Sequence, residues 1–188
     1  MSDSYITKKA LADSLKHLMK TIPLSKIAIR NIVENCKLNR QTFYYHFKDK
    51  YDLVNWIYYN EVILSIHNYK NYENWIDGLF KVLQHLDNNK SFYVNAINTS
   101  GQNSFNSYLF EITYNLIYGV IDELSNNCAI KESEKIFISE FYSNAFVGIT
   151  IQWIKSGMKE PYAELTEKIK ITVDGAFSNA INHFISSK

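Results

Sequence analysis

The sequence predicts an all-α chain of about nine helices with a helix-turn-helix near its start. Three observations point there. Only 6 Gly and 2 Pro occur in 188 residues, too few breakers for a many-turned β sandwich or barrel. Apolar side chains recur at spacings of three and four along most of the chain, the period of a helix with one buried face. Residues 27–47 read as helix, short turn, helix.

The elements follow in order. Leu11, Leu15, Leu18 and Ile22 form one stripe in a helix over 5–20, which Pro23 ends. Ile29, Ile32, Val33 and Cys36 mark a helix over 29–36. Asn39 is a good N-cap for a short helix over 40–47, with Phe43 and Phe47 on its inner face. Asp49 caps a helix over 50–68, whose apolar side holds Leu53, Trp56, Ile57 and Ile63. Further stripes predict helices over 73–88, 90–98, 104–126 and 132–156. A last helix follows Pro161, which sits where proline opens helices, and buries residues from Leu165 to Phe184.

Composition narrows the function. Hydrophobic residues make up 46% and charged residues 21%, so the chain folds rather than staying disordered. Cys36 and Cys128 are too few for a disulfide framework or a cysteine-rich zinc site, and they suit a reducing compartment. His17, His46, His67, His85 and His183 are scattered without metal-ligand spacing, so neither a metal nor a cofactor is expected. No Gly-rich phosphate loop or Gly-x-Ser-x-Gly elbow occurs, so an enzyme is not expected. The start is polar, and the most apolar run, Ala145 to Ile154, is far short of the roughly 20 residues of a membrane span. A cytoplasmic protein without membrane contact is expected.

The net charge of +1 conceals an asymmetry. Residues 1–55 carry ten Lys/Arg against five Asp/Glu, whereas residues 56–188 carry ten against fourteen. A basic head on an acidic body fits a head that meets a polyanion, although scattered solvated charges would give the same totals. The motif adds chemistry to the charge. The second helix of a helix-turn-helix lies in the DNA major groove. With Phe43 and Phe47 inward, Gln41 and Tyr45 point the opposite way, while Thr42, Tyr44 and His46 lie on the flanks. Arg40 stands at the helix start. Arg reads guanine and Gln reads adenine by paired hydrogen bonds. Tyr and Thr hydroxyls suit phosphate oxygens. Lys50, beside the free N–H groups of the next helix, is a candidate phosphate clamp. Arg30, Lys37 and Lys48 complete the expected DNA-contacting set.

The run Thr42-Phe43-Tyr44-Tyr45-His46-Phe47-Lys48-Asp49-Lys50-Tyr51-Asp52-Leu53 resembles the signature of the TetR/AcrR family of bacterial transcription regulators, over about residues 7–55. The resemblance implies a head, residues 1–50, that binds DNA. It implies a body, 51–188, that dimerises and holds an effector or partner. It also implies that Thr42, Tyr44, His46 and Lys50 hold phosphates and that Arg40, Gln41 and Tyr45 face bases. Two positions depart from the family pattern. Ala28 stands where Thr or Ser usually caps the first motif helix, and Lys37 stands where the turn usually has Gly. The chain also resembles, more loosely, the activators of dihydroxyacetone kinase operons, through the run Arg40-Gln41-Thr42-Phe43-Tyr44, Trp56 and the run Asn88-Asn89-Lys90-Ser91-Phe92-Tyr93. In that type a separate kinase-like protein senses the metabolite.

These readings give a homodimeric, sequence-specific regulator controlled by a small-molecule effector or a kinase-like coactivator protein. The alternative is a helical interaction protein that works through a metabolite-sensing partner, with auxiliary DNA binding. Tyr93, Tyr108, Tyr114, Tyr118, Tyr142 and Trp153 are candidates to line a pocket, although aromatics at helical spacing equally suit plain core. Phe141, Ala145, Gly148 and Gln152, with Val173, Ala176, Phe177 and Ala180, are candidates for a four-helix dimer interface. Tight packing inside one subunit would use the same small residues.

Overall fold

A computed structural model describes residues 3–69, 71–99, 105–126 and 128–187. Its elements are helices α1 (Asp3–Leu18), α2 (Ile29–Asn35), α3 (Arg40–His46), α4 (Lys50–Tyr58), α5 (Trp75–Asn88), α6 (Lys90–Ile97), α7 (Phe105–Leu124), α8 (Glu132–Lys155), α9 (Tyr162–Val173) and α10 (Ala176–Ser186). No strand occurs among the described residues. The all-α expectation holds. The helix expected from residue 104 is seen from Phe105, residue 104 lying outside the described residues.

Two expected helices are divided. The one over 50–68 is α-helical only to Tyr58. It then loosens into a π-helical turn, Tyr59–Ile63. There the Asn60 side chain donates to the Trp56 carbonyl at 2.9 Å, and the Leu64 N–H reaches back five residues to Tyr59 at 3.0 Å. The expected last helix breaks between α9 and α10, where Gly175 adopts φ 67°, a left-handed conformation that a side chain would resist.

Helices α1, α2 and α3 share a core built on Leu11, Leu15, Ile32, Val33, Phe43 and Phe47, all buried. Burying one such side chain stabilises by roughly 1.5–3 kcal/mol relative to leaving it exposed. Ser14 Oγ donates to the Ile32 carbonyl at 2.7 Å and accepts from Asn35 Nδ2 at 3.0 Å, which ties α1 to α2. In the body α7 and α8 pair. Their junction is closed by Lys135 Nζ on Asp122 Oδ1 at 2.7 Å and by the Tyr118 hydroxyl donating to Glu132.

Three polar clasps fix the α1–α2 loop and α1 against the rest. Asn95 of α6 accepts from Leu24 N at 2.7 Å and donates to the carbonyls of Met19 and Ile22 at 3.0 and 2.8 Å. Lys50 Nζ donates to the carbonyls of Leu24, Ser25 and Ile27 at 2.7, 3.1 and 2.8 Å. Lys16 of α1 pairs with Glu61 of the π-helical turn at 2.7 Å, and His85 Nε2 of α5 lies 3.6 Å from the same carboxylate. Burial alone would push Glu61 up. The hydrogen bonds from Lys16 and the closeness of His85 outweigh it, so the carboxyl sits below its ordinary value.

Candidate nucleic-acid interface

Local chemistry sets each boundary of the motif. Ala28 offers no capping oxygen, and Asn31 Oδ1 compensates by accepting the Ala28 N–H at 2.9 Å. This satisfies one donor ahead of the helix but leaves out the N2/N3 contact that a Thr or Ser side chain would make. Lys37 has φ 57°. The turn therefore needs the left-handed conformation that glycine adopts without strain, and Lys takes it with its side chain exposed. Asn39 caps α3, its Oδ1 accepting from Thr42 N at 2.8 Å and Thr42 Oγ1 at 3.1 Å. Asp49 Oδ1 caps α4 by accepting from the N–H groups of Tyr51 and Asp52, both at 2.8 Å.

With Phe43 and Phe47 buried, α3 turns its other sides outward. Tyr45 is 84% exposed and Tyr44 52%, large values for aromatic rings unless a partner uses them. Arg40 and Gln41 are exposed on the same short helix, and the Arg40 guanidinium lies 6.0 Å from the Tyr44 ring centroid. Lys37 and Lys48 flank the helix, exposed. Thr42 and His46 are half-buried, the former with its hydroxyl already donated to Asn39. Arg30 is exposed and paired with Glu34 at 2.6 Å on its own helix. Lys50 differs from the expectation. Its ammonium is committed to three backbone carbonyls, and burial lowers its pKa. It braces the loop before α2 rather than facing outward.

The six aromatics expected to line a pocket do not line the cavity that the body holds. This cavity, about 100 Å³, lies among α4, α5, α7, α8 and α10, with Ile66 and Tyr69 of the segment after α4 also lining it. On α7 the lining face is Leu109, Thr113, Leu116, Ile117 and Val120. Tyr108, Tyr114 and Tyr118 occupy neighbouring faces of that helix. Tyr114 and Tyr118 stack with Phe110 in a ladder, and the bond to Glu132 pushes the Tyr118 phenol up to about 12. Tyr93 is sealed among Tyr58, His85 and Phe105, and its buried hydroxyl has no hydrogen-bond partner among the described residues. Tyr142 packs on Phe177 at 4.7 Å, and Trp153 Nε1 donates to the Glu160 carbonyl at 2.8 Å. Sequence reading missed Tyr58, Trp75, Thr113 and Thr150, because lining residues come singly from distant segments.

The expected interface residues separate into two groups. Phe141, Ala145, Gly148 and Gln152 form an exposed stripe on α8, extended by Phe137 at 58% exposure beside Phe141 at 61%. A Cβ added at Gly148 would meet nothing within 4 Å. Val173, Ala176 and Ala180 are half-buried. Phe177 is 2% exposed and faces the cavity, so it belongs to the subunit's own core.

Among the described residues no group of three or more His, Cys, Asp or Glu is placed to hold a metal ion. No described helix is long and apolar enough to cross a membrane.

Comparison with known proteins agrees with this geometry. Residues 73–175 match a TetR-type family model described as a transcriptional regulator C-terminal region. The HTH-type dhaKLM operon transcriptional activator DhaS of Lactococcus lactis subsp. lactis (strain IL1403) is 31% identical over 159 residues, 84% of each chain. A solved structure described as dihydroxyacetone kinase operon activator DhaS superposes with a TM-score of 0.65 at 26% identity, covering 97% of both chains.

Proposed function

Because the chain belongs to the TetR family of transcriptional regulators, we propose that it works as a homodimer in the cytoplasm, with a DNA-reading head over 1–50 and an effector- or partner-binding body over 51–188. The observation that carries the DNA-reading role is the outward face of α3. Arg40, Gln41, Tyr44 and Tyr45 are exposed there on a helix held down by two buried phenylalanines. Two such helices in a dimer enter successive major grooves about 34–36 Å apart on a near-palindromic site. Lys37 and Lys48 add phosphate attraction, which makes binding salt-dependent.

The exposed α8 stripe supports dimerisation. Contiguous apolar area of this kind marks an interaction site, and a self-complementary patch closes a two-fold dimer. The relatives are named as operon activators, and we extend that output to this chain. Control enters from the body, through a small molecule or a kinase-like coactivator protein. In the alternative reading such a partner does the main work and DNA contact is auxiliary.

The test is fluorescence anisotropy with labelled duplex from the region upstream of the protein's own gene, at low and moderate salt, with unrelated duplex in excess. Binding that survives competitor and falls with salt supports the main reading. Binding abolished by competitor, together with a stoichiometric partner in a pull-down, moves the function to the alternative.

A further inference from the structure

The body cavity carries polar groups that the fold itself leaves unused. Among the described residues no Asp, Glu, Lys, Arg or His lines it. One wall is aromatic: the Trp75 ring lies 5.7 Å from Phe146 and 5.5 Å from Phe177, and all three line the space. Its volume is about 100 Å³, and an apolar cavity of roughly 150 Å³ accepts benzene. The space is smaller than that, so a single small ring or a short branched chain is the upper limit for a guest held inside it.

Two hydroxyls sharpen the chemistry. A Ser or Thr inside a helix commonly returns its hydroxyl to the carbonyl four residues back. Ser139, Ser143, Thr166 and Thr172 do so here at 2.6 to 2.8 Å. Thr113 of α7 and Thr150 of α8 both line the cavity, and neither makes a hydrogen bond among the described residues. Thr150 is 7% exposed. Neither hydroxyl is among the fully buried unpaired atoms, so both face the water-sized space of the cavity, where an oxygen-bearing guest can take the place of water. A charged guest would find no counter-ion among the described lining residues, so phosphate esters, carboxylates and amines are disfavoured.

We infer that this cavity binds a small uncharged ring compound bearing a hydroxyl or carbonyl oxygen, of the phenol or benzyl alcohol class. The ring lies on the Trp75 wall and the oxygen bonds Thr113 or Thr150. The regulatory meaning rests on the body-borne control proposed above; the binding itself does not. Tyr58, which also lines the space, is the last residue of α4, the helix that begins at the Lys50 brace. A guest therefore touches the element that leads to the head.

The test is calorimetric titration of the full chain with phenol, benzyl alcohol, toluene, benzoate and benzylamine. It is repeated on the near-isosteric double variant Thr113→Val/Thr150→Val and on the space-filling variant Val147→Phe. Phenol and benzyl alcohol should bind the parent, and benzoate and benzylamine should not. The double variant should weaken phenol about fivefold or more, the scale of a lost hydrogen bond, with toluene unchanged. Val147→Phe, if its circular dichroism stays helical, should abolish binding of every probe. The inference is overturned if no neutral probe binds, if benzoate binds as well as phenol, or if the double variant holds phenol like the parent. Anisotropy with DNA, with and without phenol, separates the two readings. Phenol binding with unchanged DNA affinity keeps the ligand class and removes its role in control.

Discussion

Lys50→Met separates two roles that the sequence alone cannot tell apart. A phosphate clamp would leave stability alone and weaken DNA binding. A structural brace would do the reverse. In the structure the ammonium donates to three carbonyls at 2.7, 3.1 and 2.8 Å. Hydrogen bonds to charged groups contribute about 1.5–3 kcal/mol each. Three do not simply add, because all share one ammonium and Ser25 is exposed, so its oxygen regains water. The variant also relieves the desolvation that lowers the lysine pKa. The expected net loss is about 2 kcal/mol. For a domain of this size that lowers the melting temperature by about 4–8 °C. Urea unfolding monitored by circular dichroism measures the first quantity and a thermal melt the second. Met keeps the apolar stem, so packing is retained. The reasoning is refuted if Lys50→Met melts within a degree of the parent while its DNA affinity falls on all sequences and the salt slope drops by about one, the signature of a lost phosphate contact.

Four further outcomes follow from the same geometry. Arg40→Ala should lower the preference for operator over random duplex by about 1–3 kcal/mol in competition anisotropy; an unchanged ratio removes the base-reading role. Lys37→Gly should raise the urea midpoint, relief of the φ 57° strain exceeding the added freedom of the unfolded chain by about 0.5 kcal/mol; a lowered midpoint contradicts it. The Glu61 carboxyl is held below its ordinary 4.5, so the stability it contributes is complete above that pH and is lost as pH falls through the lowered value. Glu61→Gln should therefore flatten the acid limb of a melting-temperature profile by about 0.5–1 kcal/mol, and an unaltered limb counts against the clasp. Phe141→Glu should halve the mass seen by light scattering; a mass equal to the parent's places the interface elsewhere.

What was legible in the sequence was what neighbours in the chain decide. The motif over 27–47 is closed by local contacts: the Asn39 and Asp49 caps, the left-handed turn at Lys37 and the phenylalanine pair four residues apart. The caps and the phenylalanine pair could be read from residue type, whereas the turn at Lys37 showed only against the family's usual Gly. The bracing contacts of Lys50 were out of reach because its partners are carbonyls 23 to 26 residues away, and backbone oxygens leave no trace in a residue pattern. The break at Gly175 was within reach, since Gly in a helix interior is unfavourable, yet apolar spacing on both sides masked it. The π-helical turn rests on one asparagine competing for a carbonyl, which periodicity does not register. The cavity was out of reach for a different reason. Its wall takes residues from five helices and the segment after α4, and the tyrosines expected to line it lie elsewhere.

The Asn95 clasp bears on how this protein can be taken apart. One amide uses both ends of its polar group to hold three backbone positions of the α1–α2 loop. Those positions are main-chain groups, so the clasp recognises the path of the loop and not its side chains. A chimera that grafts another regulator's first 50 residues onto this body would keep the joint if the incoming loop follows the same path, whatever its sequence. A loop one residue longer or shorter would leave Asn95 facing the wrong atoms and the graft hinged only at α4. Exchange of heads among such regulators is then governed by loop length, and a library varying only the length of residues 19–24 would map which heads this body can carry.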